Sequence, residues 1–531
     1  MAAWRPPEGV AGDSEVIKVS VGMLGPARYR CPARDAMSAR RNLSPTVAAP
    51  RKREVLEQFT NGPFMAAMDL IEHADRSVQD ALCELDARVA CNTARPFHDG
   101  LRQWTAHALA MYGQAFSDDG GQPMLAVRRR WTYRSRLAAP DKRGATTYEI
   151  TVWGRCYRSA DGATRELRLV ANHLRGRART DTEVAVAAFV LAAGGPGPVP
   201  QRVRVVRCGL LEGRAETLFD GTREAAVELY RHHGQEALGD LVEGQEFRPG
   251  SACADCSYAP VCPALPRQPG LLGLDDRSRP RRTWSATNGR AYRACPAREH
   301  LRRHHLPVDL TVERSAAAER GRAVHSYLER RHEARPHTPC VPHIPGNWTA
   351  DQYKLPMADR DLGARLLRHH AEVCPLRQTH GDDDLQVEPD LVFDDPAADV
   401  VVLAKPDLLY RDHGVWVWRE TKTSARDRSW SSDPLTDYPQ LALAVELVGR
   451  GALGGGRGRV ELEVLRPSGV DLMTFDPFTA GTRAAARQVL ARQLQRWHTD
   501  DEFAASPGVE CGSCEVARWC SARVPIAGNV A

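Results

Sequence analysis

Asp407, Glu420 and Lys422 are the residues whose types and spacing carry the most chemistry. The run VVVLA (400–404) leads to Asp407, YRDHG ends at Gly414, and VWVWRETKT covers 415–423. Apolar, β-branched runs on either side of a glycine turn predict a β-hairpin. A turn centred on His413–Gly414 sets opposite one another the residues whose numbers sum to 827, and Asp407 and Glu420 meet that condition. Directly opposed residues have Cβ atoms about 5 Å apart, close enough to share one cation. Strand alternation then puts Lys422 on the face of Glu420. Two carboxylates and an ammonium fit phosphodiester hydrolysis with Mg²⁺ or Mn²⁺. The carboxylates hold the cation, which polarises the phosphate and lowers the pKa of bound water, while the lysine orients or deprotonates that water. The same register pairs Lys405 with Lys422, so spacing leaves open which lysine lies nearer the scissile phosphate. The competing reading is a surface hairpin with ordinary charges, and an isolated E-x-K is weak evidence against it. His325, in the helical run ERGRAVHSYLERRHEAR, and Glu388, on a strand before the hairpin, are further candidates; YPQLALAVEL from Tyr438 reads as the start of an amphipathic helix.

The elements that must position these residues are bracketed by cysteines. Cys253, Cys256 and Cys262 are spaced C-x2-C-x5-C, and Cys511, Cys514 and Cys520 repeat that spacing. A lone cysteine lies upstream of each triad in nearly the same words, RYRCPAR around Cys31 and AYRACPAR around Cys295. FDGTREAAVELYR and FTAGTRAAARQVLAR repeat a further helical run before each triad. The chain therefore reads as two head-to-tail copies of one unit. The expected divisions are a flexible tail over 1–14, a first copy over 15–265, a linker over 266–282 and a second copy over 283–525. Four thiolates per copy suit an iron–sulfur cluster or zinc. A ligand from over two hundred residues away favours a cluster that staples a domain shut.

Composition sets the outer limits. The 531 residues carry 14 cysteines and a net charge of +5, with six lysines among 72 basic residues. That charge does not by itself indicate nucleic acid, and the arginine bias fits a GC-rich genome. Where the chain keeps a lysine, an ammonium is the group required. There is no apolar run long enough for a membrane span and no signal-like N-terminus, so a cytoplasmic protein is expected. Cysteines in that compartment point to metal or catalysis rather than disulfides.

Taken together these residues resemble the PD-(D/E)XK nuclease superfamily, specifically its RecB/AddB-type members with an iron–sulfur cluster. That family has G-x-x-x-H on a helix, then Asp, then (D/E)-x-K, then a Gln-containing helix, between one cysteine and a later C-x2-C-x5-C. This chain offers Gly321 and His325, Asp407, Glu420-Thr421-Lys422, Tyr438 and Gln440, between Cys295 and Cys511, Cys514 and Cys520. One departure is Ala444, where the family often has an aromatic four residues after the glutamine. The resemblance implies that His325, Asp407 and Glu420 are Mg²⁺ or Mn²⁺ ligands and Lys422 the catalytic lysine. It also implies a structural [4Fe–4S] cluster on the four cysteines, and DNA as substrate, as single strands or ends, in repair or defence.

The first copy lacks this set. Aligning Gly162 with Gly414 puts Arg155 and Arg168 in the places of Asp407 and Glu420, Val170 in that of Lys422 and Ala66 in that of His325. Glu149 and Glu166 are the carboxylates expected on that hairpin. Such a copy is either a phosphate-binding face or a purely architectural one. The expected fold is α/β: two tandem restriction-endonuclease-like domains, each a mixed sheet flanked by helices and clasped by a four-cysteine cluster. No G-x-x-x-x-G-K-[ST] is present, so a motor would be a separate helicase or ATPase subunit. The alternative function is a non-cutting, iron–sulfur DNA-binding or scaffold subunit of a helicase–nuclease complex.

Overall fold

The computed structural model describes residues 4–25, 30–47, 52–117, 123–138, 145–175, 178–309, 315–350, 352–377, 384–427 and 433–524. The chain divides into two compact units. Unit 1 comprises Met1–Ala264, Leu301–Pro307 and Trp519–Ser521, and unit 2 comprises Leu265–His300, Val308–Arg518 and Ala522–Ala531. Among the described residues no helix is long and apolar enough to cross a membrane.

The strands of unit 1 are β1 (Val10–Ala11), β2 (Val16–Ser20), β3 (Ser44–Pro45), β4 (Met124–Ala126), β5 (Thr132–Ala138), β6 (Ala145–Thr151), β7 (Arg155–Ser159), β8 (Thr164–Ala171), β9 (Arg202–Gly209) and β10 (Arg214–Thr222). Its helices are α1 (Pro32–Ala39), α2 (Gly62–Ala74), α3 (Val78–Ala90), α4 (Asp99–Ala115), α5 (Asp181–Ala193), α6 (Arg223–His233) and α7 (Gln235–Glu243). Five strands form one sheet in the order β10-β9-β8-β7-β4, and three form another, β2-β6-β5. The β7–β8 hairpin is antiparallel, and α5 carries the chain over to β9, which runs parallel to β8. A parallel neighbour needs such a crossover. Helix α5 is buried on nearly every side, as its apolar sequence DTEVAVAAFVLAA requires.

Residues after α8 (Ala286–Ala294) and α9 (Pro296–Arg303) lead into α10 (Ala316–Glu333), α11 (Met357–His370), α12 (Pro434–Asp437), α13 (Pro439–Gly449) and α14 (Ala480–Thr499). The strands of unit 2 are β11 (Arg282–Trp284), β12 (Leu385–Val387), β13 (Leu391–Asp395), β14 (Val400–Ala404), β15 (Leu408–Asp412), β16 (Val415–Thr423), β17 (Arg459–Arg466) and β18 (Gly469–Phe475). Their sheets are β12-β15-β16-β17-β18 and β11-β14-β13. Strand directions match those of unit 1 pair by pair: β15–β16 is antiparallel, β16–β17 parallel after a helical crossover, β17–β18 antiparallel, and β11–β14 parallel. Mixed sheets flanked by helices are thus the architecture of the chain.

Four expectations are corrected. Val400–Ala404 is a strand, but it pairs with β11 and β13 and is not an arm of the 413–414 hairpin. Pro406 supplies no N–H to continue a ladder, and the chain starts a new strand at Leu408. Residues 266–282 are not a loose linker. Leu271 and Leu272 are buried, and the Gly270 and Leu272 N–H groups donate to the Asp395 carboxylate. Within the expected tail, Trp4 donates to the Gly244 carbonyl and β1 pairs with β3. Helix α13 is apolar all round and buried rather than amphipathic.

Candidate active site and a buried Cys/His group

The β15–β16 hairpin has the predicted register: Leu408 faces Arg419, Leu409 faces Trp418 and Asp412 faces Val415. His413 and Gly414 both adopt positive φ, +50° and +79°, the conformation that joins twisted strands through two residues. Alternation along β16 sends Trp418, Glu420 and Lys422 to one face and Arg419 and Thr421 to the other. Asp407, just before β15, is held by the Thr421 N–H, which donates to its Oδ2 at 2.7 Å.

The structure brings Asp407, Glu420, Lys422 and His325 together. Lys422 Nζ lies 3.1 Å from Glu420 Oε2 and 3.4 Å from Asp407 Oδ2. His325, on α10, places Nδ1 3.4 Å from Asp407 Oδ1. Trp418 Nε1 donates to Glu420 Oε1 at 3.0 Å and fixes that carboxylate's second oxygen toward the lysine. Gln440, on α13, approaches Glu420 Oε2 at 3.5 Å, and the Tyr438 ring lies 5.9 Å from Lys422 Nζ.

Charge is balanced inside this group. Burial pushes the Glu420 carboxyl up against the pull of Lys422. Burial opposes charge on Asp407 too, but Lys422 and His325 more than offset it and hold that carboxyl well below its usual range. Lys422 is likewise held above the ordinary lysine range by Glu420 and Asp407, against burial. Two carboxylates and an imidazole facing one point suit a hard divalent cation of the Mg²⁺ or Mn²⁺ type. The ammonium set between both carboxylates marks the same point as one that favours positive charge.

Lys405 does not face Lys422. It donates to Glu388 Oε2 at 2.6 Å, because the chain breaks from β14 before β15 begins. Glu388 follows β12 with φ +43° and borders a cleft also lined by His325, Glu329 and Asp407. Sequence reading missed Glu329. Its signal was the four-residue spacing from His325 on one helix face, and burial followed by the Glu388 charge pushes its carboxyl up. Lys405→Ala is expected to lower any cleavage less than tenfold, since it removes one cleft-edge ion pair; steady-state rates beside a Lys422 variant check this.

The cysteine frames repeat in backbone detail. In unit 1 the Arg248 N–H donates to Cys31 Sγ at 3.4 Å and the Gly250 N–H to Cys253 Sγ at 3.3 Å. In unit 2 the Ser506 N–H donates to Cys295 Sγ at 3.3 Å and the Gly508 N–H to Cys511 Sγ at 3.5 Å. Burial first, and then the charges of Cys253 and Cys31, push Cys256 up; burial, with Glu515 and Cys295, does the same for Cys514.

A group that spacing did not reveal is more compact. His332, Cys340, His370 and Cys374 are all buried, with one ligand atom from each within 4.8 Å of the others. Its residues come as His-x7-Cys and His-x3-Cys separated by 29 residues in the sequence, so no short motif contains them. The H-x3-C step alone was the available signal.

In unit 1 the aligned hairpin register is also observed, Arg155 facing Arg168. Glu149 is not on that hairpin; it lies on β6, paired with Lys18 and Arg134. Neither arginine makes an open phosphate-binding face. Arg155 is buried and its guanidinium is held by Asp69 and Glu72 of α2, while Arg168 bonds Glu166 at 2.6 Å and stacks over Phe116. The acids facing this hairpin therefore include two from helix α2, and both arginines are paired within unit 1.

The model of the PD-(D/E)XK nuclease superfamily matches residues 283–521. This stretch is a PD-(D/E)XK domain. No curated protein matches the chain. A solved structure titled "Crystal structure of SSO0001" aligns at 14% identity over 48% of this chain and 91% of its own, with a TM-score of 0.23, too low a likeness to bear on function. The PD-(D/E)XK domain contains the whole of the His325, Asp407, Glu420 and Lys422 group.

Proposed function

We propose that the chain is a Mg²⁺- or Mn²⁺-dependent deoxyribonuclease whose active centre lies in the PD-(D/E)XK domain. The observation that carries this reading is the convergence of His325, Asp407, Glu420 and Lys422 on one another, beside a cleft that His325 and Asp407 line. His325, Asp407 and Glu420 would hold the cation. When bound, it would supply Lewis-acid polarisation of a phosphodiester. Trp418 and the Thr421 N–H fix the two carboxylates so that little reorganisation is needed. Lys422 supplies a permanent positive charge beside the phosphate as negative charge develops there. Gln440 and Tyr438 border this face and would steady the strand, and Glu388 with Glu329 would line the exit side of the cleft.

Single-stranded DNA or DNA ends are the proposed substrates, in repair or in defence against foreign DNA. The matched strand order of the two units and the repeated N–H···S pattern support an internal duplication in which unit 1 is architectural. Each cysteine set, Cys31, Cys253, Cys256 and Cys262, and Cys295, Cys511, Cys514 and Cys520, is proposed to hold a [4Fe–4S] cluster of RecB/AddB type. With no P-loop in the sequence, unwinding would fall to a separate helicase subunit. The test is cleavage of labelled single-stranded and duplex DNA by anaerobically purified protein. Cutting is expected with Mn²⁺ or Mg²⁺ and none with chelator; absence of cutting with both clusters intact favours a DNA-holding subunit.

A further inference from the structure

The His332, Cys340, His370 and Cys374 group differs from the carboxylate site in its chemistry, although His332 and His370 line the same cleft as His325 and Asp407. His332 closes α10, His370 closes α11, Cys374 follows one turn later, and Cys340 comes from the segment between the helices. His332 Nε2 sits 3.3 Å from His370 Nε2, 3.6 Å from Cys340 Sγ and 3.9 Å from Cys374 Sγ. All four side chains are buried, with His370 and Cys374 only 1% and 2% exposed.

The surroundings are those of a metal centre. His370 Nδ1 contacts Glu463 Oε1 at 2.7 Å, which turns Nε2 inward. A carboxylate on the far nitrogen of a ligating histidine is the usual outer partner of such sites. Glu463 is itself fully buried and accepts from Thr421 Oγ1 at 3.2 Å, with Arg419 Nη1 at 3.8 Å. The Cys340 N–H donates to Cys374 Sγ at 3.3 Å, a bond that stabilises a thiolate.

We propose that His332 Nε2, His370 Nε2, Cys340 Sγ and Cys374 Sγ form a buried structural zinc(II) site. Ligand atoms on a tetrahedral zinc lie about 3.3–3.8 Å apart for bonds of about 2.0–2.3 Å, and the contacts above already fall at that scale. Two thiolates cancel the charge of one Zn²⁺, and the Arg419 guanidinium stands near the Glu463 carboxylate behind it. The mixed nitrogen and sulfur set selects zinc over the oxygen-seeking cation of the carboxylate site. Full coordination leaves no open position, which makes the site structural. It ties α10 to α11 and, through Glu463, to β17. His325 lies two helical turns before His332 on α10, so the same clasp fixes the register of the helix that carries it.

Metal analysis of the full-length protein tests this without reference to cleavage. After growth with added zinc and passage over a chelating resin, one tightly held zinc per chain is expected, whatever iron the other cysteines bind. Cys340→Ser and Cys374→Ser should each remove that zinc and leave iron unchanged. Cobalt(II) in place of zinc should give tetrahedral visible absorption with a two-thiolate charge-transfer band. Should both serine variants fail to fold, His370→Cys should retain the metal with a three-thiolate cobalt spectrum. Wild-type protein without zinc, zinc undiminished in Cys340→Ser, or a Cys340–Cys374 disulfide in the mass spectrum would each overturn the assignment.

Discussion

Lys422→Ala is expected to lower DNA cleavage by about 10²–10³-fold, the scale on which loss of one fixed electrostatic group acts on a transition state. Its Nζ stands within 3.4 Å of both carboxylates, on the face of β16 that carries Glu420. Those carboxylates hold it above the ordinary lysine range. In the proposed nuclease Lys422 would act as a fixed positive charge beside the reacting phosphate. Mn²⁺ binding should survive the substitution, because the three donors remain, and kcat should fall far more than KM rises. Lys422→Arg should restore little, since a planar guanidinium cannot occupy the narrow place between the two carboxylates. Single-turnover rates with saturating enzyme check both variants. A loss of Mn²⁺ binding in Lys422→Ala would instead mean that the lysine shapes the donor set.

Arg155→Ala is expected to destabilise the protein by about 1–3 kcal/mol, the cost of leaving the part-buried Glu72 carboxylate without its hydrogen-bonded cation. Arg155 is 6% exposed, and its guanidinium engages both Asp69 and Glu72. Glu72 also accepts from the Tyr157 hydroxyl. The position corresponds in the hairpin register to Asp407 of unit 2, yet the effect falls on stability and not on chemistry. Cleavage per folded molecule should be unchanged. Denaturant unfolding of Arg155→Ala, Glu72→Gln and the double variant measures this, and the double variant should lose less than the sum of the two. A drop in DNA affinity with unchanged stability would point back to a phosphate-binding role for the arginine.

These two residues show how far sequence can reach. The facing of Asp407 and Glu420 was readable because a two-residue turn with glycine fixes register, and one apolar face fixes which side the charges take. The same arithmetic gave Arg155 facing Arg168. It failed for Lys405, since the rule holds only while one strand continues, and Pro406 ends that continuity. It also failed for the acids of α2, whose ion pairs with Arg155 join residues more than eighty positions apart. The Cys/His group was hidden for the same reason, with ligands from two helix ends and a connecting segment. Pro, Gly and charge in 266–282 suggested a linker, but its buried Leu271–Leu272 pair and the Asp395 carboxylate anchor it to β13.

The most direct measurement compares wild type with Glu420→Gln in a metal-dependent cleavage assay on single-stranded DNA. The substitution keeps the shape of the side chain and the hydrogen bond from Trp418 Nε1, and removes one negative charge from the donor set. The account predicts Mn²⁺-dependent cutting by wild type and loss of that cutting in Glu420→Gln, with an unchanged unfolding midpoint. Cutting that persists in the variant at wild-type rates would contradict the placement of the active centre in the PD-(D/E)XK domain.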